Sequence, residues 1–80
     1  MLFNANDFKT LNDALKKRRQ ITLARSMGNT SIEARTIPLP EAWEHEMGVQ
    51  IRVVASGIVW LQTVDNVDAA RQMIKTIAGA

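Results

Sequence analysis

The densest group of side chains that could hold a metal is Glu41, Glu44, His45 and Glu46. Glu41 and His45 are four apart, so on a helix they would face the same way, as two ligands of one ion must. The chain has one histidine and no cysteine. One copy therefore lacks the set a tetrahedral transition-metal site needs, and only a site shared between subunits would complete it. The segment reads as a solvated acidic face, and no metal is expected. Nucleophilic chemistry is no better supplied. Ser26, Ser31 and Ser56 have a single histidine as possible base, and none sits in a nucleophile-elbow pattern. Asp65 and Asp68 have the spacing of a helix start, where capping and dipole compensation account for both. The four glycines are isolated, so no phosphate-cradling loop is present. The expectation is a protein that is not an enzyme and uses no cofactor.

Contact chemistry is better represented. Lys16, Lys17, Arg18 and Arg19 are consecutive. Basic residues in the last turn of a helix complement its dipole, but four in a row exceed what that requires. They could contact phosphates or an acidic protein surface, with Arg25 and Arg35 adding to the same charge. Trp43 and Trp60 are the other candidate contact residues, because tryptophan is enriched at binding hot spots. No basic–aromatic interleaving surrounds either one, so stacking on bases is not indicated.

The charge is divided along the chain. Residues 1–35 carry Lys9, Lys16, Lys17, Arg18, Arg19, Arg25 and Arg35 against Asp7, Asp13 and Glu33. Residues 36–80 carry Arg52, Arg71 and Lys75 against Glu41, Glu44, Glu46, Asp65 and Asp68. A basic and an acidic face follow, within a net charge of only +2. Nucleic-acid binding is permitted by that balance and not demanded. Eighty residues make one domain with a thin core. Without cysteine there is no disulfide staple, which favours an intracellular, cytoplasmic setting. No export signal or membrane-length apolar run is visible, so no membrane association is expected.

The elements that must position these residues follow from periodicity. Asn4 and Asn6 are candidate caps, and Phe8, Leu11 and Leu15, helped by Ala14, form a helical stripe over Asp7 to Arg18. Ile21 and Leu23, then Ile32 and Ala34, alternate with polar residues on either side of Met27-Gly28-Asn29-Thr30. That is a hairpin over Gln20 to Ile37. A rival reading takes the Leu23-Ala24, Gly28, Ile32 rhythm as a helix-turn-helix, but Pro38 leaves little room for its second helix. Pro38-Leu39-Pro40 breaks the chain. A short helix from Glu41 to Met47, with Trp43 and Met47 on one face, would end at Gly48. Val49, Ile51 and Val53 mark a third strand, Ala55-Ser56-Gly57 a turn, and Ile58 to Val64 a fourth strand. Asp65 or Asn66 caps a last helix with Val67, Ala70, Ile74 and Ile77 inward, stopping at Gly79.

The run Gly57 to Asp65, followed by Ala69, Ala70, Ile74 and Gly79, resembles the strand–helix half of BON domains over less than half of the chain. The resemblance implies a small α/β module and transfers no site. The sheet and final helix are similar in outline to double-stranded RNA-binding domains. Their basic last-helix motif is missing, since Val67 to Met73 holds one arginine.

The expected architecture is α+β, in the order α-β-β-(short α)-β-β-α. An antiparallel sheet of about four strands packs against the N- and C-terminal helices. If both helices cover one side, the other side should expose an apolar patch. The expected function is a small binding protein that docks on and inhibits a larger protein or nucleoprotein assembly. In general type this is like the accessory and anti-defence proteins of phages and mobile elements. The alternatives are direct nucleic-acid binding through the basic cluster, and a homo-oligomeric module, a homodimer in the simplest case.

Overall fold

The computed structural model describes residues 3–78. Its elements are α1 (Ala5–Lys16), β1 (Thr22–Met27), β2 (Thr30–Pro38), β3 (Met47–Ala55), β4 (Ile58–Val64) and α2 (Val67–Ala78). The strands form one antiparallel sheet in the order β1-β2-β3-β4, so β1 and β4 are its edges. The expected α+β fold is the observed one. The Gly79 stop lies outside the described residues.

Local chemistry explains the ends of each element. Asn4 caps α1 by accepting the Asp7 N–H at 2.9 Å, while the Asp7 carboxylate accepts the Asn4 N–H at 3.1 Å. This reciprocal box satisfies two N–H groups that a helix start would otherwise leave unpaired. Asn66 caps α2 through the Ala69 N–H at 2.7 Å. Both hairpins turn on two residues. Gly28 at φ 60 opens the β1–β2 turn, as a type II′ geometry requires. Ser56 at φ 51 and Gly57 at φ 80 give the β3–β4 turn its type I′ form.

Alternation sorts the sheet into two faces. Ile32, Ala34 and Thr36 on β2, and Val49, Ile51 and Val53 on β3, are buried toward both helices. Phe8 and Leu11 of α1, Val67, Ala70 and Ile74 of α2, and Phe3 complete the core. Thr36 is the polar member. Its hydroxyl donates to the Arg19 carbonyl at 2.6 Å and accepts the Ile21 N–H at 2.8 Å. The hydroxyl thus ties the α1–β1 connector to the middle of the sheet and leaves neither backbone group buried and unpaired.

Two expectations need correction. The segment from Glu41 to Glu46 is turn and bend, and the short helix ending at Gly48 does not form. Pairing of Pro38 with Met47, and the Leu39 N–H on the Glu46 carbonyl at 2.8 Å, extend the β2–β3 hairpin down to the loop. The residues left between are too few to repay helix nucleation, so only one turn closes, Trp43 N–H to Pro40 carbonyl at 3.0 Å. Trp43 and Met47 accordingly share no helix face. Gly48 belongs to β3, where a Cβ would lie 2.5 Å from the Val64 carbonyl and 2.7 Å from a Leu39 methyl. It is the residue that lets the end of β4 close against the loop.

The second concerns the open face, where the expected apolar patch is present but narrower than the sheet. It is polar over β1, β2 and β3, where Ser26, Ser31, Glu33, Arg35, Gln50 and Arg52 share it. Its large, well-exposed apolar side chains are Val59 and Leu61 on β4, with half-buried Val54 of β3 beside them. The helices supply enough apolar cover for one face only, and the other is solvated in the way antiparallel sheets permit.

Candidate functional site

The end of α1 is built as a Schellman motif. The Arg19 N–H donates to the Ala14 carbonyl at 2.8 Å and the Arg18 N–H to the Leu15 carbonyl at 3.2 Å. Both bonds need the residue between to turn left-handed, and Arg18 does so at φ 55. Glycine is the usual occupant, since a Cβ there costs roughly 1 kcal/mol. The chain instead spends that energy on a cation. Replacing Arg18 with glycine is expected to raise stability by ~0.5 kcal/mol and Tm by about 2–4 °C. Thermal circular dichroism reads the shift. A fall in Tm would show that the Arg18 side chain contributes more than its backbone costs.

Lys16, Lys17, Arg18 and Arg19 are all exposed. Among the described residues, only Arg18 of the four has an ion-pair partner, Glu46 at 2.7 Å. Both members of that pair are well exposed, and such a pair contributes little to stability. Glu46 brings the loop between β2 and β3 alongside the basic run. The loop carries Trp43, 38% exposed, so the cations and this tryptophan lie at the same end of the molecule. A shallow surface beside the Arg18–Glu46 pair is lined by Leu15, Lys16, Arg18, Glu44, His45 and Asp65, among others.

The remaining candidates lie elsewhere. Arg25 points from β1 to the helix face. Its guanidinium donates to Asp7 at 2.8 Å and sits 5.7 Å from the centre of the Phe3 ring. Arg35 is on the open face, 3.3 Å from Glu33. Trp60 pairs in register with buried Val53, so it faces α2, beside Ala69, Met73 and Ile77. The structure thus keeps Lys16, Lys17, Arg18 and Arg19 together at the end of α1, sets the loop that carries Trp43 beside them through the Arg18–Glu46 pair, and holds Arg25, Arg35 and Trp60 apart. His45 lies 3.5 Å from Asp65, and among the described residues no group of three or more His, Cys, Asp or Glu could hold a metal.

Ile58, Val59 and Leu61 are not among the candidate contact residues read from the sequence, although both faces of their strand read as mostly apolar. They are 69%, 58% and 56% exposed on an edge strand, with Trp60 between them at 39%. A signal was there to be read: Ile58 to Val64 contains no charged residue.

The chain is therefore a small α+β domain whose distinctive features are surfaces, a basic helix end and an apolar sheet edge. Comparison with protein-family models, curated proteins and solved structures finds no match to it, so the functional reading rests on its own geometry. No helix among the described residues is long and apolar enough to cross a membrane.

Proposed function

We propose that this is a non-enzymatic binding protein that docks on a larger protein assembly and inhibits it through the end of α1. The observation that carries the reading is the cap of that helix. Four exposed cations are gathered where one would complement the dipole, and one of them occupies a backbone conformation that glycine would adopt at lower cost. Trp43 on the adjoining loop supplies an aromatic anchor of the kind that dominates interfaces.

A protein partner is favoured over a nucleic acid because the charge at this end is mixed. Glu44, Glu46 and Asp65 lie among the cations. A continuous phosphate backbone would meet repulsion there, whereas a protein surface of alternating sign would fit. Charge of this kind steers encounter and fixes register, and the tryptophan adds the apolar contact.

The test uses the intact protein as bait. A captured partner is identified, purified and titrated with the wild type and with a variant in which Lys16, Lys17, Arg18 and Arg19 are all glutamate. Affinity should fall ~30-fold or more, with unchanged far-ultraviolet circular dichroism. Undiminished binding overturns the assignment of the contact. Light scattering with mixed oligonucleotides at low and high salt provides the opposing readout. A complex that dissolves steeply with salt would replace the protein partner by nucleic acid.

A further inference from the structure

We infer that the free edge of β4 is a self-complementary surface, and that two copies of this chain pair there, antiparallel about Leu61, into one continuous sheet.

The backbone defines the contact. Ala55 and Ile58 flank a two-residue type I′ turn, so they form a hydrogen-bonded pair, and bonded pairs alternate with non-bonded ones along the hairpin. Ile58, Trp60, Gln62 and Val64 therefore spend their N–H and C=O groups on β3. Val59, Leu61 and Thr63 aim theirs away from it. Among the described elements, β3 is the only strand beside β4. These outward groups form the template that an added strand completes.

The edge lacks the devices that usually block such pairing. Ile58 to Val64 has no lysine, no other charge and no proline, and its pairing with β3 runs without a bulge. The exposed Ile58, Val59, Trp60 and Leu61 are consecutive, so apolar surface lies on both sides of the edge. The opposite edge differs. β1 carries Arg25, and its neighbours in the strand are mostly polar or small.

A second copy fits this edge by symmetry. Leu61 is the middle residue of Ile58–Val64. An antiparallel partner centred there sets Leu61 on Leu61, Val59 on Thr63, Trp60 on Gln62 and Ile58 on Val64. In that register every outward N–H meets an outward C=O, because Val59, Leu61 and Thr63 face their own kind across a two-fold axis. No charge is opposed to a like charge, since the strand has none. The four exposed apolar side chains supply roughly half of the ~800 Å² that each partner gives to a standard interface. The flank of α2 beside Trp60, with Ala69, Gln72, Met73 and Thr76, lies along the same edge and adds to that surface. The pairing uses none of Lys16 to Arg19, so it stands or falls independently of the proposed partner contact.

The experiment is light scattering of the full chain from ~1 to ~200 µM, coupled to residue-resolved hydrogen exchange. The mass should rise to twice the monomer value over that range. The Val59, Leu61 and Thr63 amides should gain protection as it does, while those of Trp60 and Gln62 stay protected throughout. Leu61→Lys places two cations on the axis and should abolish the dimer over the whole range. Thr63→Pro removes an outward N–H that β3 does not use, and should weaken the dimer while leaving the monomer folded. A wild type monomeric at every concentration overturns the inference, including the case where these amides are protected only by a foreign peptide. A dimer that persists in both variants, or one whose Val59, Leu61 and Thr63 amides exchange freely, also overturns it.

Discussion

Ile51→Ala should lower the stability of this domain by ~2–5 kcal/mol and its Tm by about 8–40 °C. Ile51 is fully buried on a central strand, between Ala34 of β2 and Gln62 of β4, in the cluster both helices close over. The removed atoms lose their transfer energy, and the space they leave is bounded by side chains of the sheet and both helices, which cannot all collapse into it. For a chain of this size the total stability is about 4–12 kcal/mol, so one such substitution takes a large share. Differential scanning calorimetry checks the shift. Leu61→Ala is the control of similar chemistry. Leu61 is more than half exposed, and in dilute solution its loss should change stability by ~0.5 kcal/mol or less. Equal effects at the two positions would mean that the assignment of core and edge is wrong.

Asp7→Ala should cost ~2–3 kcal/mol, because one buried carboxylate serves two elements. It accepts the Asn4 N–H in the capping box and the Arg25 guanidinium from β1, joining the start of α1 to an edge strand. Arg25→Ala should cost less, since its guanidinium is partly exposed and its attraction to Asp7 is correspondingly screened. It still leaves a buried carboxylate with one partner fewer. The double variant should be less destabilised than the two single costs together, and the difference measures their coupling. Denaturant unfolding of the four proteins reads it. Strict additivity would show that the Asp7–Arg25 bond contributes nothing beyond the cap. The same series bears on binding. A loss of partner affinity in Arg25→Ala counts toward contact only after its loss of stability has been subtracted.

The two surfaces differ in what they ask of a partner. The α1 end is charged, and its contacts depend on the sign and spacing of groups on the other side. The β4 edge offers main-chain groups and apolar side chains, which any strand of suitable length satisfies in part and its own copy satisfies completely. In a dimer paired as inferred, each protomer would display one basic end. Two weak contacts on one assembly would then reinforce each other by effective concentration, if the sites on the assembly match the span.

The elements of this protein are legible in its sequence because they are local. Asn4 and Asp7 state a helix start within four residues, Gly28-Asn29 and Ser56-Gly57 state two hairpins, and Val67, Ala70, Ile74 and Ile77 state an inward stripe. Periodicity also shows that the two faces of Ile58–Val64 alternate. It cannot show which strand lies on either side of them, because a ladder joins residues far apart in the chain. Only the sheet order made β4 an edge and left Ile58, Val59 and Leu61 in solvent. Only packing carried Arg25 to Asp7, eighteen residues away, and out of the basic cluster to which charge alone assigned it. The loop at Glu41 to Glu46 was decided the same way. Its helical spacing is real, but ladder bonds on both sides of it are worth more than one isolated helical turn.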